Sequence, residues 1–227
     1  MKDCISTSFV QHGGILVLLV AVLLCLAPCA WAGDFEYWPK AAFTIPIDEQ
    51  WQFYIEERLS VADDVRRLDD HQTDFAVTYL GLADWLSVGV GYKAFFEKDG
   101  DNWWVEDRPY LNVAVKAKIH GFGVTDRSRF EYRIPEDEDE VWQYRHKLTI
   151  TSPTTFTPWK VLPYVAEEVF ISFDEEDFNQ QRVYTGFFIP LHKQVRLELF
   201  YLWRLDKEDD DWHDTNVLGS WLYFQFY

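Results

Sequence analysis

Charged side chains occupy alternate positions in several stretches of the sequence. Between Glu106 and Lys118, one set of alternate residues is charged or polar and the intervening set is mostly apolar. The same spacing recurs within 124–134, 141–151 and 193–204. Because successive side chains of a β-strand point to opposite faces, each stretch predicts a strand with one charged and one apolar face.

The charged faces hold more bases than acids, and their chemistry would be ion pairing or attraction of anions. If the sheet closes around these faces, the predicted interior cluster comprises Glu56, Arg58, Glu106, Arg108, Arg127, Arg129, Glu131, Arg133, Arg145, Lys147, Glu168, Arg182, Arg196 and Glu198. Unpaired ions are costly in a confined interior, so a plug of paired charges is the favoured interpretation. The alternative is a small anion-favouring pore, because rings of Arg or Lys suit anion passage.

A nucleophilic site is the third possibility considered. Ser128 and His146 are both predicted on the outward, apolar faces. Nucleophilic catalysis requires the two side chains within hydrogen-bond reach and a third group that orients the base. Both residues come early on successive antiparallel strands, so we expect them at opposite ends. We therefore predict no catalytic residue, no metal ligand set and no cofactor, and expect that the protein is not an enzyme.

The elements that position these residues are long strands. We predict ten of them, at 51–59, 74–82, 85–96, 106–118, 124–134, 141–151, 161–172, 181–190, 193–204 and 216–227. A tilted membrane-crossing strand needs about 9–11 residues, whereas strands of soluble sandwiches are usually nearer 5–6. The pattern predicts an all-β fold: a single antiparallel up-and-down transmembrane β-barrel of about ten strands, or twelve, over 51–227. A soluble β-sandwich is the main alternative.

The N-terminal segment predicts export. A short apolar run, 14–24, is followed by the small-residue site Ala30-Trp31-Ala32, which together indicate a cleavable signal peptide over 1–32. Cleavage after Ala32 would remove all three cysteines, which excludes disulfides and thiolate metal sites from the mature chain. Residues 33–50 are left open between a lead-in and a first strand.

Connections and strand ends support the barrel. Short connections alternate with long acidic ones at 62–70, 97–101, 135–140, 174–177 and 206–211, as expected for periplasmic turns and extracellular loops. We therefore expect both ends of the barrel to be periplasmic. Tryptophans near predicted strand ends suit interfacial girdles: Trp38, Trp51, Trp85, Trp103, Trp104, Trp142, Trp159, Trp203, Trp212 and Trp221. The closing strand, with Leu222, Phe224, Phe226 and Tyr227, is similar to the terminal signal of bacterial outer-membrane barrels.

Short segments spread over the chain resemble the uncharacterised outer-membrane barrel family DUF2490. They are Trp51 with Glu57-Arg58, Gly89-Val90-Gly91-Tyr92, Arg127-Ser128-Arg129-Phe130-Glu131, Arg145-His146-Lys147-Leu148, Pro163-Tyr164 with Glu168-Val169-Phe170, Arg182-Val183-Tyr184-Thr185-Gly186, Glu198-Leu199-Phe200-Tyr201 and Asn216-Val217-Leu218-Gly219. The resemblance implies a barrel in the outer membrane and assigns no reaction.

These observations predict a location in the cell outer membrane after Sec export and signal cleavage, with a structural or passive-pore role. Expected partners are outer-membrane lipid, lipopolysaccharide and the barrel-assembly machinery, which would bind the C-terminal strand. The net charge of −17 argues against nucleic acid. The acidic loops suggest a surface binding module for divalent cations or lipopolysaccharide as the first alternative. A lipid-acting enzyme is the second.

Overall fold

The segments with alternating polar and apolar residues form the strands of a closed barrel. The computed structural model describes residues 34–100, 102–155, 157–173, 177–208 and 211–227. Within these ranges the chain forms eleven strands: β1 (Asp34–Pro46), β2 (Trp51–Ala62), β3 (Arg67–Ala83), β4 (Leu86–Asp99), β5 (Asn102–Ile119), β6 (Phe122–Pro135), β7 (Val141–Thr151), β8 (Leu162–Ser172), β9 (Asp177–Pro190), β10 (Val195–Glu208) and β11 (Asp211–Gln225). The described residues contain no helix that is long and apolar enough to span a membrane.

Consecutive strands pair antiparallel, and the barrel closes where β1 pairs with β11. This last pairing is parallel, with Trp38 opposite Gly219, because an odd number of strands places the first and last in the same direction. The predicted all-β barrel is confirmed, but with eleven strands rather than ten. The additional strand, β1, lies in the segment 33–50 that the sequence left open between a lead-in and a first strand. Its inward Glu36 and Lys40 alternate with outward Tyr37 and Phe43, but inward Trp38 and Ala42 are apolar and weaken the pattern.

The strand connections sort onto two rims. The turn rim carries the β1–β2, β3–β4, β5–β6, β7–β8 and β9–β10 connections and the end of β11. The loop rim carries the other five connections, where the acidic segments lie, and the start of β1. The strand region therefore begins and ends at opposite rims, and the expectation that both ends lie on one side is wrong. The predicted signal peptide, with Ala30 and Ala32, lies outside the described residues.

The outer surface is apolar and bordered by tryptophans. Large side chains such as Val90 (61% exposed), Leu111 and Leu218 face outward. Six tryptophans expose 42–75% of their surface near the rims: Trp51, Trp85 and Trp159 at the turn rim, and Trp103, Trp142 and Trp212 at the loop rim. Trp38 and Trp221 instead lie inside the barrel, 1% and 9% exposed, so their prediction as girdle residues is wrong.

The closing strand, β11, pairs with β10 on one side and with β1 on the other. Leu222 lies opposite Ala41, and the Phe224 ring stacks on Phe43 with centroids 4.8 Å apart. The strand ends at Gln225, so Phe226 and Tyr227 lie beyond it and are exposed. The backbone N–H of Phe226 still donates to the Thr44 carbonyl, which fixes the end of the chain against β1.

Candidate functional site: the charged lumen

The barrel interior contains an elongated cavity of about 870 Å³. Its wall extends from Gln52 and Thr149 near the turn rim to Asp206 and Lys207 near the loop rim. Twelve of the fourteen residues predicted for the interior line this cavity: Glu56, Arg58, Arg108, Arg127, Arg129, Arg133, Arg145, Lys147, Glu168, Arg182, Arg196 and Glu198. The other two, Glu106 and Glu131, have 0% exposure and lie behind arginine side chains.

The cavity wall is basic although the chain is acidic. The wall includes thirteen Lys and Arg residues against eight Asp and Glu residues, while the whole chain has a net charge of −17. The fold therefore separates the two signs, with bases concentrated in the lumen and many acids at the loop rim.

A buried carboxylate ties together the first part of what we call the loop-side network: Glu36, Arg58, Asp70, Glu106, Arg108, Arg133, Arg204 and Asp206. Glu106 accepts two hydrogen bonds from Arg108, at 2.7 and 3.1 Å, and two from Arg133, at 2.6 and 2.9 Å. Both oxygens of the carboxylate are occupied by charged donors, and such bidentate pairs fix geometry as well as charge.

The rest of the loop-side network is also compensated. Glu36 accepts from Arg204 at 3.0 Å and from the Trp38 indole at 2.7 Å. Arg58 donates to Asp70 at 2.9 Å, and Arg204 also bonds Asp206 at 2.6 Å. Every arginine in this network has a carboxylate partner.

A second group of charges lies around the middle of the strands. We call it the midsection belt: Lys40, Glu56, Asp74, Lys93, Arg127, Arg129, Glu131, Arg145, Lys147, Glu168 and Arg182. It has seven bases and four carboxylates, so bases outnumber acids by three. Lys93 is only 5% exposed and Arg145 only 7%, so much of this charge is held away from bulk water.

Two carboxylates of the belt are engaged by arginines on neighbouring strands. Glu131 accepts from Arg145 at 2.8 Å and from Arg129 at 3.3 Å. Asp74 pairs with Arg129 at 3.5 Å and accepts from the Tyr110 hydroxyl. The Tyr110 ring fits here only because position 91 is glycine, since a Cβ at that position would lie 2.2 Å from the ring.

The other two belt carboxylates are equally occupied. Glu168 accepts from Arg127 at 2.5 Å, from Arg145 at 2.9 Å and from the Tyr184 hydroxyl at 2.9 Å. Glu56 pairs with Lys40 at 2.9 Å and also accepts from Tyr54.

Three belt bases remain without a carboxylate partner among the described residues: Lys93, Lys147 and Arg182. The Lys147 ammonium lies 3.7 Å from the centre of the Tyr184 ring, and the Arg182 guanidinium lies 4.6 Å from that of Phe170. The Nε of Arg182 is buried with no hydrogen-bond partner in the described part of the chain. Aromatic faces stabilise these cations but leave their donors available.

The turn-side end of the lumen combines aromatic rings with one base and one acid. Arg196 lies 4.7 Å from the Phe188 ring centre and 4.6 Å from that of Tyr223. Glu198 accepts from the hydroxyls of Tyr164 and Tyr223, the latter at 2.8 Å.

Sequence reasoning missed several members of the lumen. Lys40 lies on β1, in the segment 33–50 that the sequence left open, and Asp74 begins a predicted strand although it lies near the middle of β3. Tyr164, Tyr184 and Tyr223 were not selected because tyrosine suits both an interface and an interior. Strand parity would have found Tyr184, which is two residues from Arg182 and so shares its face.

The outward polar residues lie closer together than predicted. Ser128 and His146 are direct cross-strand partners, not residues at opposite ends, because β6 and β7 overlap near their middles. His146 Nε2 lies 2.9 Å from an Asp126 oxygen, while the Ser128 hydroxyl bonds the Tyr144 hydroxyl at 2.9 Å. No hydrogen bond joins Ser128 to His146. In the described ranges, no group of three or more His, Cys, Asp or Glu residues is arranged to hold a metal.

Comparisons with known proteins identify the family. LpxR from Salmonella typhimurium, a solved structure, is similar at 10% sequence identity and a TM-score of 0.45, over 76% of this chain and 83% of that chain. No curated protein matches in sequence. The family model described as "Protein of unknown function (DUF2490)" matches residues 35–215, which confirms the resemblance noted in the sequence. The chain therefore belongs to the DUF2490 family.

Proposed function

We propose that this protein is an outer-membrane β-barrel whose lumen admits and passes small anions. The apolar outer surface and the exposed tryptophans at both rims support the membrane location, because outer-membrane barrels carry an apolar band between two aromatic girdles. A closed barrel also leaves no unpaired strand edge in lipid.

The single observation that carries the proposal is the basic midsection of a cavity extending along the strands. Belt residues from several strands line this cavity inside the closed barrel. An ion that crosses the lumen therefore passes close to the belt. The three unpaired bases, Lys93, Lys147 and Arg182, lower the energy of an anion there and raise that of a cation.

A purely structural role is the competing proposal. The loop-side network pairs its arginines fully, and paired charges in a narrow interior also describe a plug. Conductance separates the two roles, since a plug blocks ions of both signs.

The test begins with the full chain expressed with its N-terminal segment and extracted from outer membranes. We expect a membrane-bound protein whose gel mobility changes on boiling, followed by small, discrete conductance steps in a planar bilayer. In a KCl gradient the reversal potential should have the sign set by chloride. Absence of any conductance, or a reversal potential set by potassium, would contradict the proposal.

The partners predicted from the sequence remain predictions. Recognition of Leu222, Phe224, Phe226 and Tyr227 by assembly machinery predicts that deleting 222–227 leaves the chain unfolded in the periplasm. Contact of the acidic loops with divalent cations or lipopolysaccharide predicts that chelating these ions alters loop protease sensitivity. Both experiments use the exported chain. Normal folding of the shortened chain would contradict the first contact, and protease sensitivity that chelation leaves unchanged would contradict the second.

A further inference from the structure

We infer that the midsection belt contains a binding site for a phosphoryl dianion, formed around Glu168 by Arg127, Lys147 and Arg182. The inference rests on the proposed function only in that the ligand must be able to enter the lumen. It adds a ligand class to the same cavity, either free phosphate or a small phosphate monoester.

The first step is the local excess of positive charge. Lys147 lies opposite Glu168 on β8, and Glu168 lies opposite Arg182 on β9, so the two bases flank one carboxylate. Glu168 already accepts from Arg127, Arg145 and Tyr184. It is therefore occupied, and Lys147 and Arg182 are left with no carboxylate oxygen within ion-pair distance among the described residues.

The second step concerns the donors that remain. The Lys147 ammonium carries three N–H groups and lies over an aromatic ring, with no hydrogen-bond acceptor assigned to it in the described ranges. The Nε atoms of Arg127, Arg145 and Arg182 are buried and have no acceptor in the described ranges. The side chains of Arg127, Lys147 and Arg182 line the cavity, so an acceptor-rich anion in the lumen would gain several charge-assisted hydrogen bonds from them at once.

The third step is the charge of the ligand. The belt has three more bases than carboxylates, so a dianion offsets more of this surplus than chloride does. A phosphoryl group is close to dianionic at neutral pH and has three strong acceptor oxygens. Guanidinium groups match pairs of these oxygens, while an ammonium acts as a compact point charge. The mixture of arginine and lysine at this site suits a phosphoryl group better than a halide.

The test uses the full chain in two measurements, block of chloride current in bilayers and calorimetric binding in detergent. Inorganic phosphate and glycerol phosphate are the probes, with chloride and sulfate for comparison. We expect a saturable block by at least one phosphate probe, and the more potent probe identifies the source. Lys147→Gln and Arg182→Gln should each raise the half-blocking concentration about tenfold. Lys118→Gln, which removes an exposed base on β5, should leave it unchanged.

The outcomes separate this inference from the proposed function. A chloride current that phosphate does not block, with no calorimetric binding, would overturn the site and leave the passage intact. Saturable calorimetric binding without any current would support the site and contradict the passage. Equal effects of phosphate, sulfate and chloride at equal ionic strength would show charge screening only and overturn the site. Unchanged potency in both variants would overturn the assignment to these residues.

Discussion

The loop-side network and the midsection belt contain the same types of charged residue but differ in how completely these residues are paired. In the loop-side network, Glu106 is shared by two bidentate arginines and Glu36 by an arginine and an indole. In the belt, every carboxylate is also paired with a base, yet three bases have no carboxylate partner among the described residues. The first region has as many acids as bases, and the second has three more bases than acids.

This difference shows what base-rich sequence faces mean in a narrow barrel. A count of bases and acids over the whole lumen conceals two regions with different roles. Compensated charges hold strands in register, and their loss should cost stability. Uncompensated charges hold little together, and their loss should change the ions that the lumen accepts. Stability and ion selectivity should therefore respond to different substitutions.

The largest effect is expected from Glu106→Gln in the loop-side network. The substitution leaves Arg108 and Arg133 without their buried carboxylate, and breaking a buried pair costs roughly 3–5 kcal/mol. The free energy of unfolding, measured by urea titration of the folded protein in detergent, should fall by about that amount. Glu49→Gln, in an exposed turn, is the control. A loss as small as that of the control would break the distinction between the two regions.

The double variant Lys147→Gln with Arg182→Gln should have the opposite profile. Neither base pairs with a described carboxylate, so the free energy of unfolding should change by about 1 kcal/mol or less. The reversal potential in a KCl gradient should move toward zero as anion preference is lost. If unfolding becomes as easy as in Glu106→Gln while the reversal potential stays fixed, the belt is structural.

A smaller effect is expected from the acids at the loop rim. At 0.1 M salt the Debye length is about 10 Å, so the acidic 136–140 connection should slow anions that enter from this rim. Current should therefore be asymmetric with voltage at 0.1 M KCl and nearly symmetric at 1 M. Replacing Glu136, Glu138 and Glu140 by Gln should reduce the asymmetry. Asymmetry that persists at 1 M would point to the belt instead.

The smallest effect is expected on the outer face. Ser128 bonds Tyr144 and not His146, so Ser128→Ala should change neither anion selectivity nor the lipid composition of the membrane. Mass spectrometry of extracted lipids from cells with either chain tests this. Lipid hydrolysis that depends on Ser128 and on His146 would reveal a catalytic surface and contradict the expectation that the protein is not an enzyme.

The fold could be predicted to the extent that alternation was uninterrupted. The stretch 141–151 matches β7 because polar and apolar residues alternate through most of it, with Val141 and outward His146 as the exceptions. The start of β3 was placed seven residues late because Asp69, Asp70, His71 and Gln72 are polar on both faces. Parity placed Arg127 and Glu168 inside, but their pairing joins β6 to β8 across an intervening strand. Such contacts depend on barrel curvature, which local sequence does not encode.

The most direct test of the central claim is whether the belt is open to water and favours anions. Residues 33–227 contain no cysteine, so Thr149→Cys introduces a single thiol on the cavity wall two residues from Lys147. Its rates of modification by a negatively charged and a positively charged thiosulfonate reagent can be compared, in a chain whose three N-terminal cysteines are replaced by serine. We predict faster reaction with the anionic reagent, by several-fold, and loss of that preference when Lys147 and Arg182 are neutralised. Equal rates, faster cationic modification, or no reaction with either reagent would contradict a water-filled, anion-favouring lumen beside Lys147.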